Sequence, residues 1–186
     1  DTTIINTALP AIAQNLQEHP LRMHRVVVAY VLSVAACIPL SGWLADRFGV
    51  RNTYFAAIII FSLASLGCAW SSSLNELLVY RIFQGIGGAL LLPVGRLALL
   101  KIIPRTQFLA AMSLMSLAGL IGPLIGPTLG GWMVEYLSWH WIFLINLPIG
   151  LLGALITFKA MPNVLEPTVA RFDYWGFILL VVAMVG

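Results

Sequence analysis

A chain of 186 residues that is 60% hydrophobic and 9% charged, with a mean hydropathy of +0.96, has too little polar surface for a water-soluble domain, in which about a quarter of residues carry charge. Its net charge of +3 is scattered singly over short loops rather than gathered into a patch, which excludes a nucleic-acid partner. The two cysteines, Cys37 and Cys68, lie inside apolar runs where a thiol acts as a small hydrophobe, so neither a disulfide framework nor a metal site is indicated.

A membrane-spanning helix needs about 20 mostly apolar residues, and such runs follow one another along the chain. Segments are predicted at 1–16, 25–45, 53–71, 76–99, 108–132, 142–160 and 174–186, with the first and last read as truncated because the chain opens in mid-pattern and stops inside an apolar run. The expected class is all-α integral membrane. Residues 1–161 would form one transmembrane bundle, 162–173 a cytoplasmic loop and 174–186 the start of a further helix. Alternate loops carry Arg47 and Arg51, then Lys101 and Arg105, then Lys159 and Arg171. The opposite set carries only Arg22 and Arg25, so the richer set is assigned to the cytoplasm. Trp70, Tyr136, Trp139 and Trp141 fall near the predicted outer ends, where aromatic belts belong. Segments one to three and four to six are a candidate inverted repeat, an arrangement common in secondary transporters.

In chain order, the first polar group is "DTTIINTALP", which places Asp1, Thr2, Thr3 and Asn6 in a membrane helix. An intramembrane carboxylate marks a functional site by default. It could carry a proton or accept a cationic ligand, and the plainer alternative leaves Asp1 at the interface. "GWLADRFGVR" reads as a tight cytoplasmic turn in which Gly42 and Gly49 flank Asp46, Arg47 and Arg51. A carboxylate beside two arginines can lock one conformation and release another, although such loops also serve simply as topology anchors. Glu76 and Glu135 read as solvated outer-loop charges, and His19, His24 and His140 as interfacial.

"RIFQGIGGALLLP" sets Arg81, Gln84, Gly85 and Gly88 on one helical face. A buried arginine keeps its proton and needs partners; a snorkelling arginine near a helix end is the alternative. At 1.5 Å per residue Arg81 lies roughly 9 Å and Asp1 roughly 20 Å below the outer surface. A direct ion pair between them is therefore not expected, and Gln84 and Asn6 are placed between them as cavity candidates. In "GLIGPLIGPTLGG", Gly122, Gly126 and Gly130 recur every fourth residue, a spacing that lets two membrane helices approach closely, while Pro123 and Pro127 each remove a backbone donor. No Ser/His/Asp grouping, phosphate loop or His/Cys cluster supports an enzyme or a cofactor.

Together these stretches resemble the major facilitator superfamily, in particular its 14-helix drug/proton antiporters. "DTTIINTALP" is similar to that branch's first-helix motif. "GWLADRFGVR" is similar to the loop motif between helices 2 and 3, with Val50 where a basic residue is usual. "RIFQGIGGA" is similar to the fourth-helix motif, with Arg81 at the position linked to proton coupling. "GPLIGPTLGG" matches the fifth-helix antiporter motif through Gly122, Gly126, Pro127, Gly130 and Gly131, and "RFDYWGFILL" resembles the opening of the extra central helix. The resemblance implies an N-terminal six-helix bundle plus the start of a seventh helix, with a C-terminal bundle of the same chain missing here. It further implies proton-coupled efflux of small amphipathic or cationic compounds across a bacterial inner membrane. Asp1 and Arg81 would couple protons, and the fragment by itself would be inactive. A nutrient symporter or uniporter of the same fold, or a non-transporting assembly protein, are the alternatives.

Overall fold

In the computed structural model, residues 2–165 and 172–185 are described, and every regular element among them is an α-helix. The Asp1 assignment lies outside the described residues. Five stretches are long and apolar enough to cross a membrane: Pro20–Cys37, Val50–Trp70, Leu74–Ile102, Arg105–Tyr136 and Trp141–Ala160. Helix α1 spans Thr2–Asn15 and stops because Gln17 turns left-handed (φ 53°), which lets the Glu18 N–H reach back to the Ala13 carbonyl at 2.9 Å. Helix α2, Pro20–Cys37, starts on a proline whose missing N–H costs nothing in a first turn, and His19 Nδ1 accepts from the Leu21 N–H. The second predicted segment therefore begins five residues early. Arg22 and Arg25 ride on helix rather than loop, and Arg22 pairs with Glu18 at 3.3 Å.

Helix α3, Leu40–Phe48, continues α2 beyond a break at Pro39. It corrects the predicted turn: Gly42, Asp46 and Arg47 are helical, and only Gly49 leaves helical geometry before α4, Val50–Trp70, begins. Charged residues do not break helices; a positive φ does, and Gly49 sits at φ 86°, ψ 148°, where a side chain would be strained. Helix α5, Leu74–Ile102, and helix α6, Arg105–Tyr136, have 29 and 32 residues. At 1.5 Å per residue they are about 44 and 48 Å long, against a hydrocarbon core of about 30 Å. They overshoot the predicted 76–99 and 108–132, so Lys101 and Arg105 stand on helical ends with only Ile103 and Pro104 between. Glu76, expected in a loop, caps α5: its carboxylate accepts from the Ser72 N–H at 2.8 Å and its own N–H donates to Ser73 Oγ. The sixth segment is a four-residue helix α7, Trp141–Leu144, running into α8, Asn146–Ala160, and the seventh is α9, Tyr174–Val185.

Helix α5 is central, with α4 on one side and α2 on the other; α8 packs on the far side of α4, and α1 bridges α2 and α6. Two apolar clusters hold the helices together. One, towards Trp139, contains Ile5, Ile12, Met23, Val26, Leu77 and Phe143; the other, towards Lys101, contains Ala45, Val50, Ala57, Leu90 and Val94. Trp139, expected in an aromatic belt, is instead buried in the first cluster, edge-on to Phe143, whereas Trp70, Tyr136 and Trp141 are exposed.

Candidate functional site

Along α5, Arg81 and Gln84 fall between Leu77 of one cluster and Leu90 of the other, so a polar layer separates the two apolar ones. Both side chains are fully buried, at 0% exposure, which removes the snorkelling alternative for Arg81. Its Nη1–H donates to Gln84 Oε1 at 2.6 Å, its Nε–H points to the Val26 carbonyl at 3.5 Å, and its guanidinium lies 4.2 Å from the centre of the Tyr30 ring. Gln84 passes the connection on by donating to Ser65 Oγ, which also accepts from Asn146 Nδ2 at 3.2 Å. One chain of polar contacts thus joins α2, α5, α4 and α8. A guanidinium out of water needs this company: charge-assisted bonds contribute about 1.5–3 kcal/mol each and a desolvated cation–π contact about 2 kcal/mol. Close helix approach makes the layer possible, since a Cβ at Gly85 would lie 2.6 Å from Ser33 Cβ and 2.8 Å from the Tyr30 carbonyl oxygen.

Asn6 stands apart from this layer. It is exposed on α1, in line with Pro10 and Gln14 at four-residue spacing, while Ile5, Ala8 and Ile12 are buried. Polar residues on the open side of a membrane helix face protein or a water-filled cavity rather than lipid. Of the fifth-helix glycines, Gly126 and Gly130 pack on α1, where added methyl groups would meet Thr3 Oγ1 at 2.6 Å and Thr7 Oγ1 at 2.5 Å. Gly122 and Gly131 have open space, and Pro127 is exposed on a helix that runs unbroken through it.

At the Lys101 end, the structure separates the charges that the sequence puts together. Asp46 does not sit beside two arginines: it accepts from Lys101 Nζ at 3.1 Å, across to α5. Arg47 is exposed and lies over its neighbours Trp43 and Phe48, and Arg51 turns the other way, 5.7 Å from the Phe158 ring of α8. Thr53 Oγ1 donates to the Leu44 carbonyl at 3.0 Å, tying α4 back to α3. Gly42 is open, on the edge of a groove of about 270 Å³ between α3 and α5 that Ser41, Pro93 and Arg96 also line.

The sequence reading overlooked Tyr30, Ser65, Asn146 and Arg96. Ser65 and Asn146 were legible as single polar residues in apolar runs, a pattern that usually signals an interhelical bond; Tyr30 passes as an ordinary aromatic until its ring is found beneath a cation.

The family profile described as Major Facilitator Superfamily matches residues 1–183. MdtD of Citrobacter koseri, a protein provisionally named for multidrug resistance, is 60% identical over 184 residues, covering 99% of this chain and 39% of that one. MdtD of Salmonella typhimurium is 59% identical with the same coverage. The chain thus spans about two fifths of the length of these relatives. Among solved structures, the proton:xylose symporter XylE bound to 6-bromo-6-deoxy-D-glucose superposes with a TM-score of 0.72 at 17% identity, over 87% of this chain and 41% of that one. A mutant of the peptide transporter POT in complex with sulfate gives a TM-score of 0.72 at 17% identity, over 99% of this chain and 42% of that one. At such identities these two structures speak for the fold alone.

Proposed function

The chain belongs to the Major Facilitator Superfamily, and from that premise we propose that it is the N-terminal half of a proton-driven exporter of small amphipathic or cationic compounds in a bacterial inner membrane. The observation that carries the proposal is the fully buried Arg81 held by Gln84, Tyr30 and Val26. A fixed cation in the membrane interior has no structural necessity, since an apolar layer would pack the same helices at lower cost. It gives a nearby proton carrier a field to work against, and Asp1 is the carrier assigned from the sequence. The identity to the two MdtD proteins supports export in preference to uptake.

In this reading the exposed α1 stripe of Asn6 and Gln14 forms one wall of the substrate path, and the C-terminal bundle supplies the other. Arg81 acts through Gln84: moving the proton changes the charge that Arg81 faces, and the Gln84–Ser65–Asn146 chain carries the change to α4 and α8. The turn at Gly49, with Asp46 on Lys101, belongs to the cytoplasmic gate. The Gly126 and Gly130 face keeps α6 tight on α1, which limits leak between them. Residues 1–186 alone lack half of this path and are expected to be inactive.

The test uses the complete protein in inside-out vesicles with an imposed proton gradient. Compound-dependent proton release is expected from wild type, and Arg81→Ala and Asp1→Asn should each abolish it while binding of the compound persists. Unchanged release in Arg81→Ala would overturn the coupling role.

A further inference from the structure

After α8 the chain does not leave the bundle at once. Residues 161–165 return to the α3–α4 turn, where the Val50 N–H donates to the Val164 carbonyl at 3.4 Å. The Asn163 side chain sits so closely over Gly49 that a methyl group on that glycine would overlap its amide oxygen, carbon and nitrogen. Gly49 is thus required twice, for its backbone angle and for the room it leaves. Two residues on, Arg51 reaches from α4 to the end of α8 and lies over Phe158.

Two polar atoms at this junction are buried without a hydrogen-bond partner among the described residues: Arg51 Nε and Asn163 Oδ1. One is a donor and the other an acceptor. Burying either alone is unfavourable, and native structures rarely leave such groups orphaned. Each belongs to a residue next to the Val50–Val164 backbone bond, so pairing them, directly or through one bridging water, would satisfy both.

We infer that Arg51 and Asn163 pair, directly or through one water, as a clasp that fastens the segment after α8 to the α3–α4 turn. Arg51 is then a positioning residue that faces its own bundle, and the gate charge left exposed on this turn is Arg47. The chain beyond residue 165 leads towards α9, and through the clasp any pull on it is delivered to Gly49, the hinge between α3 and α4. That mechanical consequence rests on the transport function proposed above; the clasp itself does not.

The test is hydrogen exchange at the Val50 amide and across residues 161–165, in the complete protein in lipid nanodiscs. Arg51→Leu and Asn163→Leu should each speed exchange about fivefold, the equivalent of one ordinary hydrogen bond. The double variant should add little, because both singles remove the same interaction. Asn163→Asp keeps an acceptor and adds charge, so its exchange should match or fall below wild type. Leucine variants that exchange as wild type does, or a double variant in which the two effects multiply, overturn the clasp. An Asn163→Asp variant as fast as Asn163→Leu overturns it too. Clasp variants that exchange faster yet export at the wild-type rate would refute the mechanical coupling and leave the clasp standing.

Discussion

Replacing Gln84 with leucine isolates the polar layer. The volume is nearly kept, so the packing of α5 against α4 and α2 should survive, but two bonds go. The first is Arg81 Nη1–H to Gln84 Oε1 at 2.6 Å, a buried bond to a charged donor, and such bonds contribute about 1.5–3 kcal/mol. The second runs from Gln84 to Ser65, a neutral interhelical bond of the kind that averages about 0.6 kcal/mol in membranes. Ser65 keeps Asn146 as a partner and Arg81 keeps Val26 and the Tyr30 ring, so the loss is not compounded by complete desertion of either group. The expected cost is about 2–4 kcal/mol. Gln84→Glu should cost little or stabilise, because a carboxylate at that distance makes a charge-assisted pair with the guanidinium and can accept from the Ser65 hydroxyl. Equilibrium unfolding of the complete protein in mixed micelles, titrated with SDS, measures both. Equal stability of Gln84→Leu and wild type, or equal damage from the leucine and glutamate variants, would refute the reasoning.

Gly130→Ala places a methyl group 2.5 Å from Thr7 Oγ1 and 3.0 Å from the Ile4 carbonyl oxygen. It should loosen α1 from α6, measured as a lower yield of disulfide between cysteines introduced on the facing surfaces of the two helices. Gly131→Ala, with nothing within 4 Å, should leave that yield unchanged. The Asp46–Lys101 pair is part-exposed, at 40% and 16% of side-chain area respectively, so Lys101→Gln should cost at most about 1 kcal/mol of stability. Its larger effect should be on transport, and exchanging the two charges should restore what either single reversal removes. Burial depresses the pKa of His140, which stacks on Trp139 at 3.8 Å. A depressed folded-state value favours the neutral ring, so this contribution is fully present above the ordinary value of 6.5 and is lost as pH falls below it. The decline in thermal stability below pH 6.5 should shrink in His140→Gln.

The helices were legible in the sequence because apolar length is a one-dimensional signal, and so were Arg81 and Gln84, whose spacing places them on one face. What failed to show were events that depend on residues distant in the chain. Asp46 has arginines next to it in sequence, yet α3 is helical, which carries Arg47 round to the exposed side and aims Asp46 at Lys101, 55 positions away. The four glycines Gly122, Gly126, Gly130 and Gly131 read alike, but only two of them meet α1. The register pairs Thr3 with Gly126 and Thr7 with Gly130, whereas nothing among the described residues comes within 4 Å of a methyl group at Gly122 or Gly131. Trp139 was placed in a belt by composition, whereas the short α7 turns back over it and buries it.

The pairing of α1 with α6 has a consequence in time. Thr3 and Gly126 lie in close approach, so α1 must wait for about 120 further residues before its partner exists. At ordinary synthesis rates of about 5–20 residues per second this wait lasts about 6–25 s. Throughout it, Thr3 and Thr7 are without α6 beside them, and α1, 14 residues long in its described part, has α2 as the packing neighbour made next. The insertion machinery, or α2 acting as a temporary mate, has to keep the α1 ridge clear until Gly126 and Gly130 arrive. A ribosome stalled before that point would leave this ridge open to any other small-residue helix in the membrane.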